Sequence, residues 1–294
     1  MRRKVLFGPT AQLLSTQPTY VIGYHHHRPN IRRRWLRDRS RSRLCKGSRT
    51  CLALSIRCFE SSKALPLCPA RKRRRFSRFQ SPSARCGPTT TSPANETAQA
   101  NAASLLNGWL CRYKILETGA RQIFSFHING DIPDLQSLHL KTMDHNLGTL
   151  VQSTVAFVPH DSARNFARDF PHLGDILWRD TLIDAAIFRQ WMVGMGRRDA
   201  PARIAHLCCE IFVKMRAIGL AKENSCEFPL TQSVMGDALG LSTVHVNRSL
   251  MDLRGRGLIA LDKHMLTILK WEALQDEAGF DPLYLHLDRV PELA

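Results

Sequence analysis

No apolar run in this sequence approaches the roughly 20 residues that a membrane-spanning helix needs, because charges interrupt each one. The start, MRRKVLF, is basic, but Gly8, Pro9 and polar residues follow where a signal peptide requires an apolar stretch. The nine cysteines are therefore expected as reduced thiols in a soluble, cytoplasmic protein. Five of them, Cys45, Cys51, Cys58, Cys68 and Cys86, form no C-x-x-C pair, which disfavours a zinc or iron–sulfur site. Acidic residues are also scarce at the beginning. Residues 1–100 hold only Asp38, Glu60 and Glu96 against 22 Lys and Arg, whereas the remaining residues hold 20 basic and 22 acidic side chains. The pI near 10 thus describes the first third alone, and a uniformly basic protein of the histone or ribosomal kind is excluded.

What fills that first third is Arg-rich, with clusters at Arg32 to Arg34 and Arg71 to Arg75, a His25-His26-His27 run, and a Ser/Pro/Thr/Ala tract from Ser81 to Ala103. No sustained period of 2 or 3.6 would bury a face, so residues 1–103 are expected to be disordered and to supply no strands. Three origins fit: a nucleic-acid-binding arm, a targeting segment, or translated sequence never selected to fold, from a mis-set start or a frame change.

From residue 105 the pattern changes. Trp109 to Leu116 alternates, with Cys111, Tyr113 and Ile115 on one face and Arg112 and Lys114 on the other. A turn at Glu117 to Ala120 and renewed alternation through Phe124, Phe126 and Ile128 predict a β-hairpin. Gly148 to Val158 predicts one further strand, and Asp161 is placed as the N-cap of a short helix through Phe170. A long helix follows, about Leu173 to Met195. One apolar row (Trp178, Leu182, Ala185, Phe188, Met192, Met195) lies beside a second (Ile183, Ile187, Trp191). So wide a face fits a buried core helix, or a helix that covers its own domain with one side and a partner's copy with the other.

The most informative stretch is Leu230 to Leu269. Thr231 caps a helix from Gln232 to Leu239, Gly240 breaks it, and Ser242 caps a second helix to about Arg254. Gly236 sits where the two helices must cross closely. Val246, Leu250 and Leu253 make the inward stripe, leaving Thr243, Val244, Asn247 and Arg248 outward. Gly257 to Leu261 and Met265 to Leu269 read as the two strands of a wing.

LTQSVMGDALGLSTVHVNRSLMDLRGRGLI resembles the winged-helix domain of bacterial regulators of the cyclic AMP receptor and fumarate–nitrate regulator (Crp/Fnr) family, and CRYKILETGARQIFSFHINGDIPDLQSLHL resembles the later part of their β jelly-roll sensor. The resemblance, over about 105–285, implies an α+β chain. Its expected parts are a disordered segment (1–103), a partial jelly-roll, cyclic-nucleotide-binding-like domain (104–170), and a dimerisation helix with hinge (171–198). A winged helix-turn-helix domain (199–275) and a tail (276–294) complete it. The early strands of the family's sensor have no counterpart in the sequence pattern, which would leave open sheet edges. After Gly130-Asp131 the chain reads Ile-Pro-Asp-Leu-Gln-Ser-Leu, without the Gly-Glu and Arg that cyclic-nucleotide binders carry, and no close N-terminal Cys cluster of the iron–sulfur members is found. Neither cyclic AMP nor any cofactor or metal is expected, and the effector stays unidentified.

Carried over residue by residue, the resemblance implies phosphate contacts from Thr231, Gln232, Ser242 and His245, and base reading by Thr243, Val244 and Arg248, with Asn247 beside them. Arg248 suits guanine O6 and N7, whereas Val244, where many members carry a charge, suits a thymine methyl. Asp144-His145 and His160-Asp161 lack a nucleophile and read as turn residues, and Cys208-Cys209 as buried thiols, so no catalytic site is expected. The reading is a homodimeric, sequence-specific regulator that binds double-stranded DNA, with RNA polymerase as a further partner and no membrane. The alternative is a sequence-blind nucleic-acid binder dominated by the basic arm.

Overall fold

The computed structural model describes residues 83–86, 91–92 and 101–287. Seven strands build two antiparallel sheets. β1 (Ser83–Cys86), β7 (Ser153–Pro159) and β3 (Asn101–Asn107) form one, in the order β1-β7-β3. β2 (Thr91–Ser92), β6 (Asn146–Thr149), β4 (Leu110–Ile115) and β5 (Arg121–His127) form the other, in the order β2-β6-β4-β5. Ala103, Leu105, Leu110 and Val155 meet in one apolar cluster, with Leu147 and Phe157 against it.

Two expectations are corrected here. Residues before 104 do supply strands: Ser83 pairs with Ala156, Thr91 with Gly148 and Asn101 with Pro159. An edge strand of two to four residues is held by backbone hydrogen bonds to its neighbour, so it needs no apolar alternation of its own. The rest of the Arg-rich stretch, with its histidine run and both Arg clusters, lies outside the described residues, and so do the three origins offered for it. The single strand read from Gly148 to Val158 is in fact two. β6 pairs with β4 and β7 with β3, so the chain changes sheets between Thr149 and Ser153. Leu150 N–H donates to Trp109 O at 2.9 Å, and Ser153 Oγ–H to Val151 O at 2.8 Å, which pins the crossing.

After β7, α1 (His160–Asp169) starts at Pro159 as cap. Asp161 is not the cap; it sits in the first turn and pairs with Arg164 at 3.2 Å. α2 (Pro171–Arg197) then runs for 27 residues with Pro171 at its first position. Ile183, Ala186, Ile187, Trp191 and Gly194 are buried, following the 3- and 4-residue spacing of one helix face. The neighbouring row stays open, with Trp178, Leu182 and Met192 exposed by 66%, 52% and 70%. Phe188, assigned to that row by spacing, turns inward instead onto Phe124 and the Arg112 guanidinium. Among the described residues no helix is long and apolar enough to cross a membrane.

α3 (Ala200–Ala217) is capped by Asp199, whose Oδ1 accepts from Ala202 N–H at 3.0 Å. Its residues from Ile204 to Met215 are all buried, so it is the central element of the C-terminal half. Around it lie β8 (Ala221–Lys222), β9 (Ser225–Glu227), α4 (Gln232–Leu239), α5 (Thr243–Gly255), β10 (Ile259–Asp262), β11 (Met265–Ile268) and α6 (Trp271–Ala278). The four strands form a sheet in the order β10-β11-β9-β8. A 3-10 turn at Pro282–Leu285 closes the described chain.

Candidate nucleic-acid interface

α4 and α5 form a helix-turn-helix whose caps are set by local chemistry. Thr231 Oγ1 accepts from Val234 N–H at 3.2 Å, and Ser242 Oγ accepts from His245 N–H at 3.3 Å while bonding the His245 ring Nδ1 at 3.0 Å. Each cap satisfies one of the donors that a helix start leaves open. Gly240 ends α4 in the left-handed region, at φ 65°, where a side chain would strain the turn. Gly236 is the crossing point: a Cβ there would stand 2.6 Å from Leu241 O, a backbone atom. Val246, Leu250 and Leu253 pack inward beneath the pair.

All eight residues singled out from the sequence are exposed. Thr231 and Gln232 lie at the start of α4, Ser242 caps α5, and Thr243, Val244, His245, Asn247 and Arg248 occupy its first two turns. Helix starts carry partial positive charge and uncommitted N–H groups, which suits an anionic backbone. Arg254 is also exposed on α5, whereas Arg256 is held by Glu277 at 2.6 Å and Asp252 at 3.2 Å, carboxylates that raise its pKa. The wing follows: β10 and β11 pair Asp262 with Met265, joined by Lys263 and His264 at φ 44° and 67°. Two consecutive left-handed residues are the tightest hairpin turn, here presenting the Lys263 and His264 side chains at the tip.

A model of the Crp-like helix-turn-helix domain matches residues 202–277. Among curated proteins, the transcriptional activator protein FnrL of Cereibacter sphaeroides is 27% identical over 183 residues, covering 61% of this chain and 73% of FnrL. The transcriptional activator protein Anr of Pseudomonas aeruginosa is 23% identical over 163 residues, 55% of this chain and 66% of Anr. The solved structure of FixK2 from Bradyrhizobium japonicum superposes with a TM-score of 0.62 at 21% identity, covering 69% of this chain and all of FixK2, which supports the fold. Residues 202–277 are a Crp-like helix-turn-helix domain, and the chain is similar to Crp/Fnr-type regulators. Its C-terminal domain is that of a DNA-binding transcription regulator, and its strand-rich half is cyclic-nucleotide-binding-like.

Polar contacts join the strand-rich half to the helix-turn-helix half, and these the sequence did not disclose. Arg121 of β5 pairs with Asp237 of α4 at 2.8 Å, and Gln122 Nε2–H donates to Ala238 O at 3.2 Å. On α3, buried Lys214 donates to Phe126 O at 3.1 Å and lies 3.6 Å from Asp131, which also faces His127 at 3.4 Å. Burial, with the Arg112 charge adding to it, lowers the His127 pKa to about 4. Glu210 receives Trp191 Nε1–H at 3.1 Å and Tyr284 O–H at 2.6 Å; burial and the Glu210 charge push the Tyr284 phenol well above its ordinary value. The only signal available was a carboxylate inside the apolar run Leu207 to Val213.

The strand-rich half has an open cleft of about 400 Å³ lined by Arg112, Phe124, Gln136, Asp144, His145, Asp184 and Phe188. Alternation had set Arg112 on the polar face, yet it is buried. Its Nη1–H donates to Asp184 Oδ2 at 2.6 Å and its Nε–H to Pro133 O. Asp134 accepts from Ala103 N–H at 2.7 Å, and burial raises its pKa to about 6. The Asp144–His145 and His160–Asp161 pairs are separated in role: His145 bonds Asp144 at 3.0 Å and Gln136 at 3.3 Å, whereas His160 bonds Ser137 at 2.9 Å. Cys208 and Cys209 are buried, and desolvation raises both thiol pKa values. Among the described residues no group of three or more His, Cys, Asp or Glu is placed to hold a metal.

Proposed function

We propose that this regulator is a cytoplasmic homodimer that reads a two-fold symmetric operator, each α5 entering a major groove. The observation that carries the proposal is the capped α4–α5 pair, with Gly236 at its crossing and the first two turns of α5 open to solvent. In this reading Thr231, Gln232, Ser242 and His245 hold phosphates, while Thr243, Val244, Asn247 and Arg248 face base edges. The open row Trp178, Leu182 and Met192 on α2 is the seam for the second copy, which would set two recognition helices about 34 Å apart. FnrL and Anr are transcriptional activators by name, and contact with RNA polymerase is part of the proposal.

Cyclic AMP does not fit this reading. The buried cation of the cleft, Arg112, is already committed to Asp184 and Pro133 O, so a phosphate would have to displace a carboxylate. No catalytic role is proposed for any residue.

Selection of binding sites from random duplex DNA, followed by measurement on the selected and scrambled sequences, tests the proposal. Arg248→Ala should cost about 1–3 kcal/mol on the selected site and little on scrambled DNA. Truncating Gln232 should weaken both alike. A protein that selects no sequence, and whose affinity depends on salt alone, would instead favour the alternative in which the basic first hundred residues dominate binding.

A further inference from the structure

The exposed surface of α5 is not merely polar. Val244 is 57% exposed and Met251 66% exposed, although both are apolar and the rest of the helix has a well-filled inward stripe. Their spacing puts them with Arg248. At 3.6 residues per turn, positions 244, 248 and 251 fall within an arc of about 60°, opposite Val246, Leu250 and Leu253. The result is a stripe in which a guanidinium stands between two apolar side chains. Along the axis, Val244 and Met251 are about 10.5 Å apart, close to three base-pair steps.

Resting on the operator-binding reading above, we propose that this stripe reads thymine 5-methyl groups on either side of a guanine, with Met251 as a specificity residue alongside Val244. The surroundings favour DNA as the occupant. The stripe continues the helix that begins at the Ser242 cap, and exposed Arg254 and the wing-tip Lys263 give its flanks positive charge. A duplex meets that charge with phosphates and offers, in its major groove, one apolar group per A·T pair, the thymine methyl. Arg248 specifies the guanine by its fork, while Val244 and Met251 reward a methyl and leave an unmethylated pyrimidine without contact. The half-site is therefore expected to carry a G·C pair flanked by A·T pairs within about three steps.

Deoxyuridine gives a direct test, because it removes the methyl and keeps the base pair. On the operator obtained by selection, replacing each flanking thymine in turn by deoxyuridine should weaken binding of the full chain by about fourfold per methyl, the worth of one buried carbon. The penalty at one thymine should vanish in Val244→Ala and the penalty at the other in Met251→Ala, each variant keeping its loss on the thymine read by the other residue. Both side chains are exposed, so thermal unfolding of the variants should match the parent, and Met251→Leu should retain the penalty. Binding that is indifferent to deoxyuridine, or a penalty that persists unchanged in both alanine variants, would overturn the proposal. If in that case Arg248→Ala still relaxes sequence preference, the operator reading stands and only the methyl stripe falls. If no sequence is selected at all, both fall.

Discussion

His206 makes the stability of this fold sensitive to mild acid. It sits on α3, 5% exposed, with its ring stacked on Tyr284 at 5.8 Å and edge-on to Phe280 at 5.2 Å. Its Nε2 has no hydrogen-bond partner among the described residues. Burial, with the Arg198 charge adding to it, lowers its pKa from 6.5 to about 3. The neutral ring is therefore what the folded state accepts. Stability is fully present above pH 6.5, the unfolded value, and is lost as pH falls, levelling off only below about 3. At pH 5 the unfolded chain is largely protonated at this site and the folded chain is not, a loss of about 2 kcal/mol from His206 alone. His127, lowered to about 4, loses stability over a similar range, whereas Asp134, raised to about 6, gains stability as pH falls below 6. The comparison with a His206→Phe variant isolates the one residue, since phenylalanine keeps the ring packing and cannot titrate. Urea unfolding at pH 7.5 and pH 5.0 should show a smaller acid loss in the variant by about 2 kcal/mol. Equal losses in the two proteins would show that His206 is not held neutral, and the reasoning from its burial would fail.

Gly236→Ala would place a Cβ 2.6 Å from Leu241 O, so the α4–α5 crossing must open; a stability loss of about 1–3 kcal/mol by denaturant melt is expected, together with weaker operator binding. Tyr284→Phe removes the 2.6 Å hydrogen bond to the Glu210 carboxylate, for an expected loss of about 1.5–3 kcal/mol, and an unchanged melt would show that water replaces the phenol. Leu182→Glu with Met192→Glu should give monomers by sedimentation, because both side chains are exposed on α2 and their change leaves its buried row intact; persisting dimers would locate the seam elsewhere.

The helix-turn-helix was legible because its signals are local. A cap oxygen, a glycine with positive φ and a 3.6-residue stripe are each decided within a few residues, and Thr231, Gly240, Ser242 and Val246 do what their spacing foretold. The sheets were less legible, since their pairing is between distant segments. Short strands such as Ser83–Cys86 and Thr91–Ser92 carry no period that a sequence can display. The break between β6 and β7 was hidden for the same reason: Leu150 and Val151 are apolar enough to continue a strand, and only the choice of partners divides it. Phe188 shows the limit of helical periodicity. Its spacing fits the open row of α2, but Phe124 and Arg112 on the sheet draw it inward. The buried ion pairs were not legible at all, because Arg112 and Asp184 are 72 residues apart and look, singly, like surface charges.

Those buried polar groups decide where the recognition helix points. Apolar contact alone tolerates sliding and rotation, whereas a buried charge must find its one partner or lose more than the contact is worth. α3 carries two such constraints, Glu210 and Lys214, and beside them the neutral ring of His206 packed between aromatic side chains. Glu210 ties it to Trp191 of α2 and to Tyr284 of the closing turn; Lys214 ties it to Phe126 O and Asp131 of the strand-rich half; His206 is clasped by the rings of Tyr284 and Phe280. Arg121 and Gln122 of β5 then hold α4 directly through Asp237 and Ala238 O. A rotation of the helix-turn-helix about the end of α2 would have to break Lys214, Arg121 and Gln122 together. The setting of α5 against the strand-rich half is therefore fixed by these contacts jointly rather than by any one of them.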